Sequence, residues 1–146
     1  MYERFETFTA TMVKIHRMIH QIKTEVMAEC NLSSPHVSCL YYLGRAGQLT
    51  ATGICEFSAE DKSSISRSIE YLKKEGYIVN VSEEQKRYKA LLSLTEKGCA
   101  VYKKIEGKIF QVLAHSNDGI SEENQKIFYD SLLRICDNLQ GFIDKN

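Results

Sequence analysis

Between Asp61 and Gly76 the chain reads DKSSISRSIEYLKKEG, and its polar residues have the types and spacing for recognition chemistry. Ile65, Ile69 and Leu72 fall at i, i+4 and i+7, the spacing of a buried helical stripe. The opposite side carries Lys62, Ser63, Ser64, Ser66, Arg67 and Ser68. Four serines in six residues make a poor solvated helix surface, because serine competes with its own backbone for hydrogen bonds. With one ammonium and one guanidinium group beside them, these short hydroxyls suit a close fit against a partner rich in hydrogen-bond acceptors. The plain alternative is an unremarkable solvated face. A second basic cluster, Lys86, Arg87 and Lys89, follows beside Glu83 and Glu84.

Other constellations carry less. His16 and His20 stand at i, i+4, a spacing that can share a metal, and Cys30, His36 and His115 are further ligand types. No acidic partner is placed with them, so surface or core histidines are the default and no cofactor is expected. Cys30 and Cys39 are candidate thiols, but a reactive thiol needs exposure and a depressed pKa. Five cysteines without a C-x-x-C pair argue against a disulfide framework or thiolate zinc site. They fit reduced cysteines in a cytoplasmic protein. There is no glycine-rich phosphate loop, no H-E-x-x-H and no G-x-S-x-G, so an enzyme is not expected.

These residues need elements to position them. Apolar residues recur at helical spacing from about Glu3 to Met27: Phe5, Phe8, Met12, Ile15, Ile19, Ile22 and Val26. A second helix opens at Ser33 or Ser34 with Pro35 in its first turn, faces Val37, Leu40 and Tyr41 inward, and ends at Gly44 or Gly47. A short third helix follows Thr50 or Thr52. After the helix of residues 61–75 the period changes from 3.6 to 2. Tyr77, Val79 and Val81 share one strand face, and Tyr88, Ala90, Leu92 and Leu94 share another, with the charged tip SEEQKR between the strands. Thr95 caps a helix carrying Val101, Ile105, Ile109 and Val112. Ser121 opens a last helix bearing Phe128, Leu132, Ile135, Leu139 and Phe142.

The expected fold is mainly α with a small antiparallel β hairpin: a winged helix-turn-helix at about 33–98, flanked by long helices at about 1–30 and 99–146. The outer stripes need a partner, and a second copy is the simplest, which predicts a homodimer joined through terminal dimerisation helices. The 146 residues suit one domain, with 26% charged and 43% apolar residues. Lys plus Arg and Asp plus Glu are each 19, so any basic function must come from local clusters. The charges broken through the N-terminal stretch exclude a signal peptide, and no segment approaches the about 18 apolar residues of a membrane span.

The segments LT at Leu49–Thr50, DKSSISRSIEYLKKEGYI at Asp61–Ile78 and LSLTEKG at Leu92–Gly98 stand at the spacing of one family. Here the chain resembles the MarR (multiple antibiotic resistance regulator) winged-helix transcription factors. The resemblance implies a homodimeric regulator, in the commonest case a repressor, on a pseudo-palindromic double-stranded DNA operator. It implies a recognition helix at 61–75 in the major groove, a wing at 82–89 at the minor groove, and a small molecule, metal or oxidant that alters DNA affinity. The chain departs from the family pattern twice. Its turn before the recognition helix reads FSAED where the family has an apolar residue, so Phe57 is expected to supply the packing. The wing reads Lys86, Arg87, Tyr88 where the family carries an acid, one intervening residue and an arginine.

On this reading the DNA-contacting residues are Lys62, Ser63, Ser64, Ser66 and Arg67 on the helix and Lys86, Arg87 and Lys89 on the wing. Base edges and phosphates supply the acceptors. Backbone N–H groups beside Ser63 and Ser64 favour phosphate, and Arg67 reaches a guanine edge or a phosphate. The rival reading is a winged-helix module that only binds protein, which the zero net charge suits.

Overall fold

Side-chain caps decide where the helices begin. Thr50 Oγ1 accepts from the Gly53 N–H at 3.1 Å, and Thr95 Oγ1 from the Gly98 N–H at 3.1 Å. Asp61 Oδ1 accepts from the Ser64 N–H at 2.8 Å, and Ser121 Oγ from the Asn124 N–H at 3.3 Å. Each satisfies an amide that has no partner inside its helix. In the computed structural model, which describes residues 2–26, 28–58, 60–81 and 90–145, these caps open four of the six helices, which stand with three short strands among the described residues. They are α1 (Tyr2–Val26), α2 (Ser34–Ala46), β1 (Gln48–Leu49), α3 (Ala51–Ser58), α4 (Lys62–Lys74), β2 (Ile78–Asn80), β3 (Leu92–Leu94), α5 (Glu96–Ser116) and α6 (Glu122–Ile143). A 3-10 turn, Ala28–Cys30, links α1 to α2. None of these helices is long and apolar enough to cross a membrane.

Helix α2 ends at Gly47, whose φ of 78° and N–H bond to the Leu43 carbonyl at 2.8 Å make the left-handed exit that glycine tolerates. Gly44 does not end it: Gly44 lies within the helix against the Tyr102 ring, which a Cβ would strike. The strands form an antiparallel sheet in the order β1-β3-β2, with Leu49 opposite Leu92 and Ile78 opposite Leu94. The sequence suggested only the β2–β3 hairpin. β1 has two residues, too few to show a period.

The chain divides into two compact units, Met1–Lys108 and Ile109–Asn146. In the first, α2 is the central element, packed against α1, α3, α4, β1 and β3. Leu40 and Leu43 of α2, Ile54 of α3, Ile65 and Leu72 of α4, Ile78, Leu92 and Ile105 are all fully or almost fully buried and make up a core that excludes water. Ala90 and Leu92 are buried as their shared face suggests, while Leu94 is half-buried. On the other strand the face is different: Val79 and Val81 are exposed and Ile78 is buried. Tyr77, just before the strand, is buried, with Lys97 Nζ 4.1 Å from its ring centroid. In the second unit, α6 buries none of its residues, and Phe128, Leu139 and Phe142 are exposed. On α1, Phe5, Ile15 and Ile19 are likewise exposed.

Candidate nucleic-acid interface

Helix α4 presents the face marked out by composition. Ile65, Ile69 and Leu72 are buried, and Lys62, Ser63, Ser66 and Arg67 are exposed around them. Two serines depart from the sequence reading. Ser68 is buried rather than on the outer face, at 3% exposure. Ser64 is half-buried. Lys86, Arg87 and Lys89 of the expected wing lie outside the described residues.

The start of α4 is already an anion site, filled by the chain itself. The Asp61 carboxylate takes the Ser64 N–H at 2.8 Å and the Ser63 hydroxyl at 2.6 Å. The Ser64 amide expected to be open to phosphate is therefore engaged. These bonds, the Ser63 hydroxyl first and the Ser64 amide next, hold the Asp61 carboxyl below the usual carboxylate range. A depressed folded-state pKa means the cap stabilises at pH above the unfolded value of about 3.9 and is lost as pH falls through the lower folded value. Asp61→Ala is accordingly expected to melt below wild type near neutral pH. The gap should close as both proteins are acidified below about pH 4, which thermal melts across that range will measure.

The other end of α4 is held by the LTEKG segment. Thr95 Oγ1 donates to the Gly76 carbonyl at 2.7 Å while accepting from the Gly98 N–H. The Thr95 N–H donates to the Tyr77 carbonyl at 3.0 Å, and Lys97 Nζ donates to the Glu75 carbonyl at 2.7 Å. Between α3 and α4 runs a cleft of about 570 Å3, with Ala51, Thr52 and Cys55 on one wall and Lys62, Ser66 and Lys73 on the other. The cleft brings Thr52 of α3 beside the α4 face, which the period of a single helix could not indicate. The sequence reading begins this helix at Asp61; the structure begins α4 at Lys62 and makes Asp61 its cap.

The turn before α4 is packed differently from the expectation. Phe57 is not a core residue: it is 61% exposed and stacks on Tyr42 with ring centroids 6.1 Å apart. The inward position is taken by Glu60, whose Oε1 lies 3.2 Å from the buried Ser38 hydroxyl.

Among the described residues no three of His, Cys, Asp and Glu are grouped to hold a metal ion. His16 and His20 are exposed. His36 instead accepts the Ser33 N–H on Nδ1 at 3.0 Å and stacks on Tyr71 at 4.4 Å. Burial, with Glu60 and then Cys55 nearby, pushes the Cys39 thiol up to about 12, so it remains protonated near neutral pH.

Residues 31–87 match the sequence model described as the MarR family. An uncharacterized HTH-type transcriptional regulator of Bacillus subtilis, YwaE, is 26% identical over 123 residues, spanning 84% of this chain and 72% of the relative. Among solved structures, NMB1585, a MarR family regulator from Neisseria meningitidis, superposes with a TM-score of 0.84 at 20% identity over 98% of each chain. A putative MarR family transcriptional regulator from Listeria monocytogenes, solved in complex with 26mer DNA, superposes with a TM-score of 0.81 at 22% identity, over 90% of this chain and 87% of that one. At these identities the structural likeness fixes the winged-helix fold.

Proposed function

We propose, from the premise that this chain belongs to the MarR family of DNA-binding transcriptional regulators, that it acts as a homodimeric repressor reading a pseudo-palindromic operator with α4. The carrying observation is the exposed Lys62, Ser63, Ser66 and Arg67 face, on a helix capped by Asp61 at one end and held by Thr95 and Lys97 at the other. A recognition helix must hold its donors still against base edges, and a helix secured at both ends does so. The major groove is the site wide enough to admit it. Ser64 contributes at the edge of this face. Lys86, Arg87 and Lys89 grip phosphate from the wing, supplying the charge that a net-neutral chain must concentrate locally. The Listeria protein's DNA complex supports the same use of a closely similar fold. We place the chain's winged helix at about 33–98 and its dimerisation helices at about 1–30 and 99–146.

The exposed apolar residues of α1 and α6 support self-association, because a monomer would leave Ile15, Ile19 and Leu139 in water. Response to a small-molecule effector follows from the family resemblance alone. The test is selection of bound fragments from a random DNA pool, followed by footprinting and sedimentation. The expected outcome is two half-sites related by a two-fold axis, about 10 base pairs apart centre to centre, bound by a dimer at micromolar protein. A well-folded monomer, or a single asymmetric half-site, contradicts the dimeric reading. Failure to enrich any duplex at low salt favours a winged helix that binds only protein, the role its zero net charge suits.

A further inference from the structure

We propose that Ser38 is a positioning residue: with Lys23 of α1 and Glu60 of the α3–α4 turn it forms a polar tie through which α1 sets the placement of α4. The proposal rests on reading α4 as the DNA-contacting helix. Ser38 is 1% exposed, in the middle of α2 between the buried Val37 and Cys39. A hydroxyl so placed must be satisfied by the protein. Its Oγ lies 3.0 Å from Lys23 Nζ, 3.2 Å from Glu60 Oε1 and 3.2 Å from the Ser34 carbonyl. A hydroxyl carries one proton. Ser38 therefore accepts from the Lys23 ammonium and donates either to Glu60 or back to Ser34, but not fully to both.

Those two acceptors define two arrangements with different consequences. A mid-helix serine ordinarily bonds back to the carbonyl four residues earlier, here Ser34. That leaves the turn untied. Donation to the Glu60 carboxylate is charge-assisted and draws the turn onto α2. The Lys23 ammonium sits on the far side of the same hydroxyl and favours the carboxylate pointing inward. The inward carboxylate is felt by its surroundings: after burial, Glu60 contributes to raising the Cys39 thiol, and after burial and Tyr41 it contributes to raising the Tyr42 phenol.

The tie ends next to the recognition helix. Glu60 directly precedes the cap residue Asp61, and its own N–H donates to Ser58 Oγ at 3.3 Å. The first amides of α4, Ser64 and Ile65, bond to the Asp61 side chain at 2.8 Å and the Asp61 carbonyl at 3.0 Å. A displacement at the end of α1 that withdraws Lys23 thus acts on the residue beside the cap. Stability does not account for the arrangement, since an apolar side chain in the turn is generally at least as good as a half-buried charged pair. A tie with two discrete states does, because coupling between sites needs an element that both can bias.

The test uses the full chain, with amide hydrogen exchange as a DNA-independent readout. The second readout is the affinity ratio between a duplex enriched by the wild type from a random pool and its scrambled version. Lys23→Met keeps the aliphatic stem and removes the ammonium. It is expected to speed exchange at Ser64 and Ile65 by about tenfold, leaving Cys99 and Val101 of α5 within about twofold. The affinity ratio should fall by about three- to tenfold, and Lys23→Arg should restore it. Adding Lys23→Met to Ser38→Ala should change nothing further, because Lys23 reaches the turn through Ser38. Unchanged exchange at Ser64 and Ile65 in Lys23→Met, or full additivity of the two substitutions, overturns the proposal. If Ser38→Ala does not fold, Lys23→Met and Lys23→Arg still decide it. If the wild type enriches no duplex, the DNA reading falls and the exchange data alone judge the tie.

Discussion

Gly98→Ala is expected to destabilise the protein by about 3 kcal/mol, an overpacking cost at the upper end of its usual range. For a chain of this length that is a fall in melting temperature on the order of 10 °C. A Cβ at Gly98 would overlap the Tyr77 carbonyl oxygen and lie 3.1 Å from its carbon. The obstacle is backbone, and that backbone cannot withdraw. The same Tyr77 carbonyl accepts the Thr95 N–H at 3.0 Å and lies 3.1 Å from the Thr95 hydroxyl. Moving it breaks the link that secures the end of α4, so DNA affinity should fall along with stability. The same helix supplies the control. Gly107 is exposed and a Cβ there meets nothing within 4 Å. Gly107→Ala should therefore be neutral or stabilising by up to about 1 kcal/mol, the helix-propensity gain of alanine over glycine. Thermal melts that place Gly98→Ala beside wild type would remove the steric account of this segment.

Those contacts explain why some features were legible in the sequence and others were not. Caps are local. Ser33 with Pro35, Thr50, Thr95 and Ser121 each stand within three residues of the amide or turn they serve, so the starts of α5 and α6 could be read directly, and those of α2 and α3 to within Ser33 or Ser34 and Thr50 or Thr52. The stripe of Ile65, Ile69 and Leu72 is equally local and is buried as its spacing implies. What escaped is settled by partners far along the chain. The fourth serine of α4, Ser68, turns inward, and strand β1 exists only because Gln48 and Leu49 pair with Ser93 and Leu92. Phe57 looked like the apolar filler of the turn, yet a carboxylate fills it, because Ser38 on α2 offers Glu60 a donor. The helical face proposed for recognition was marked by four serines together; the Asp61 carboxylate that engages its first turn was hidden in plain residues. No periodicity tells which distant carboxylate a buried hydroxyl will meet.

Reading and gripping should separate on two arginines. On the proposed function, Arg67 stands on the exposed face of α4 one turn beyond Ser63, where a bidentate fork can meet a guanine edge. Arg67→Ala is expected to cost about 1–3 kcal/mol on the selected duplex, with a smaller loss on a scrambled one. On the same proposal Arg87, in the expected wing outside the described residues, should act as charge alone. Arg87→Ala should weaken both duplexes by similar factors and lower the salt slope by about one. Arg67 is exposed and its removal leaves the Ile65, Ile69 and Leu72 stripe intact, so Arg67→Ala should melt within a few degrees of wild type. The salt slope is the decisive readout. An arginine that merely neutralises phosphate changes the slope on every sequence, whereas one that reads a base changes the ratio between sequences. If Arg67→Ala shifts the slope and leaves the ratio untouched, Arg67 grips DNA without reading it, and specificity must lie in the neighbouring Ser66, Thr52 or Lys73. If neither substitution alters binding to any duplex while the fold is intact, the serine face serves a protein partner.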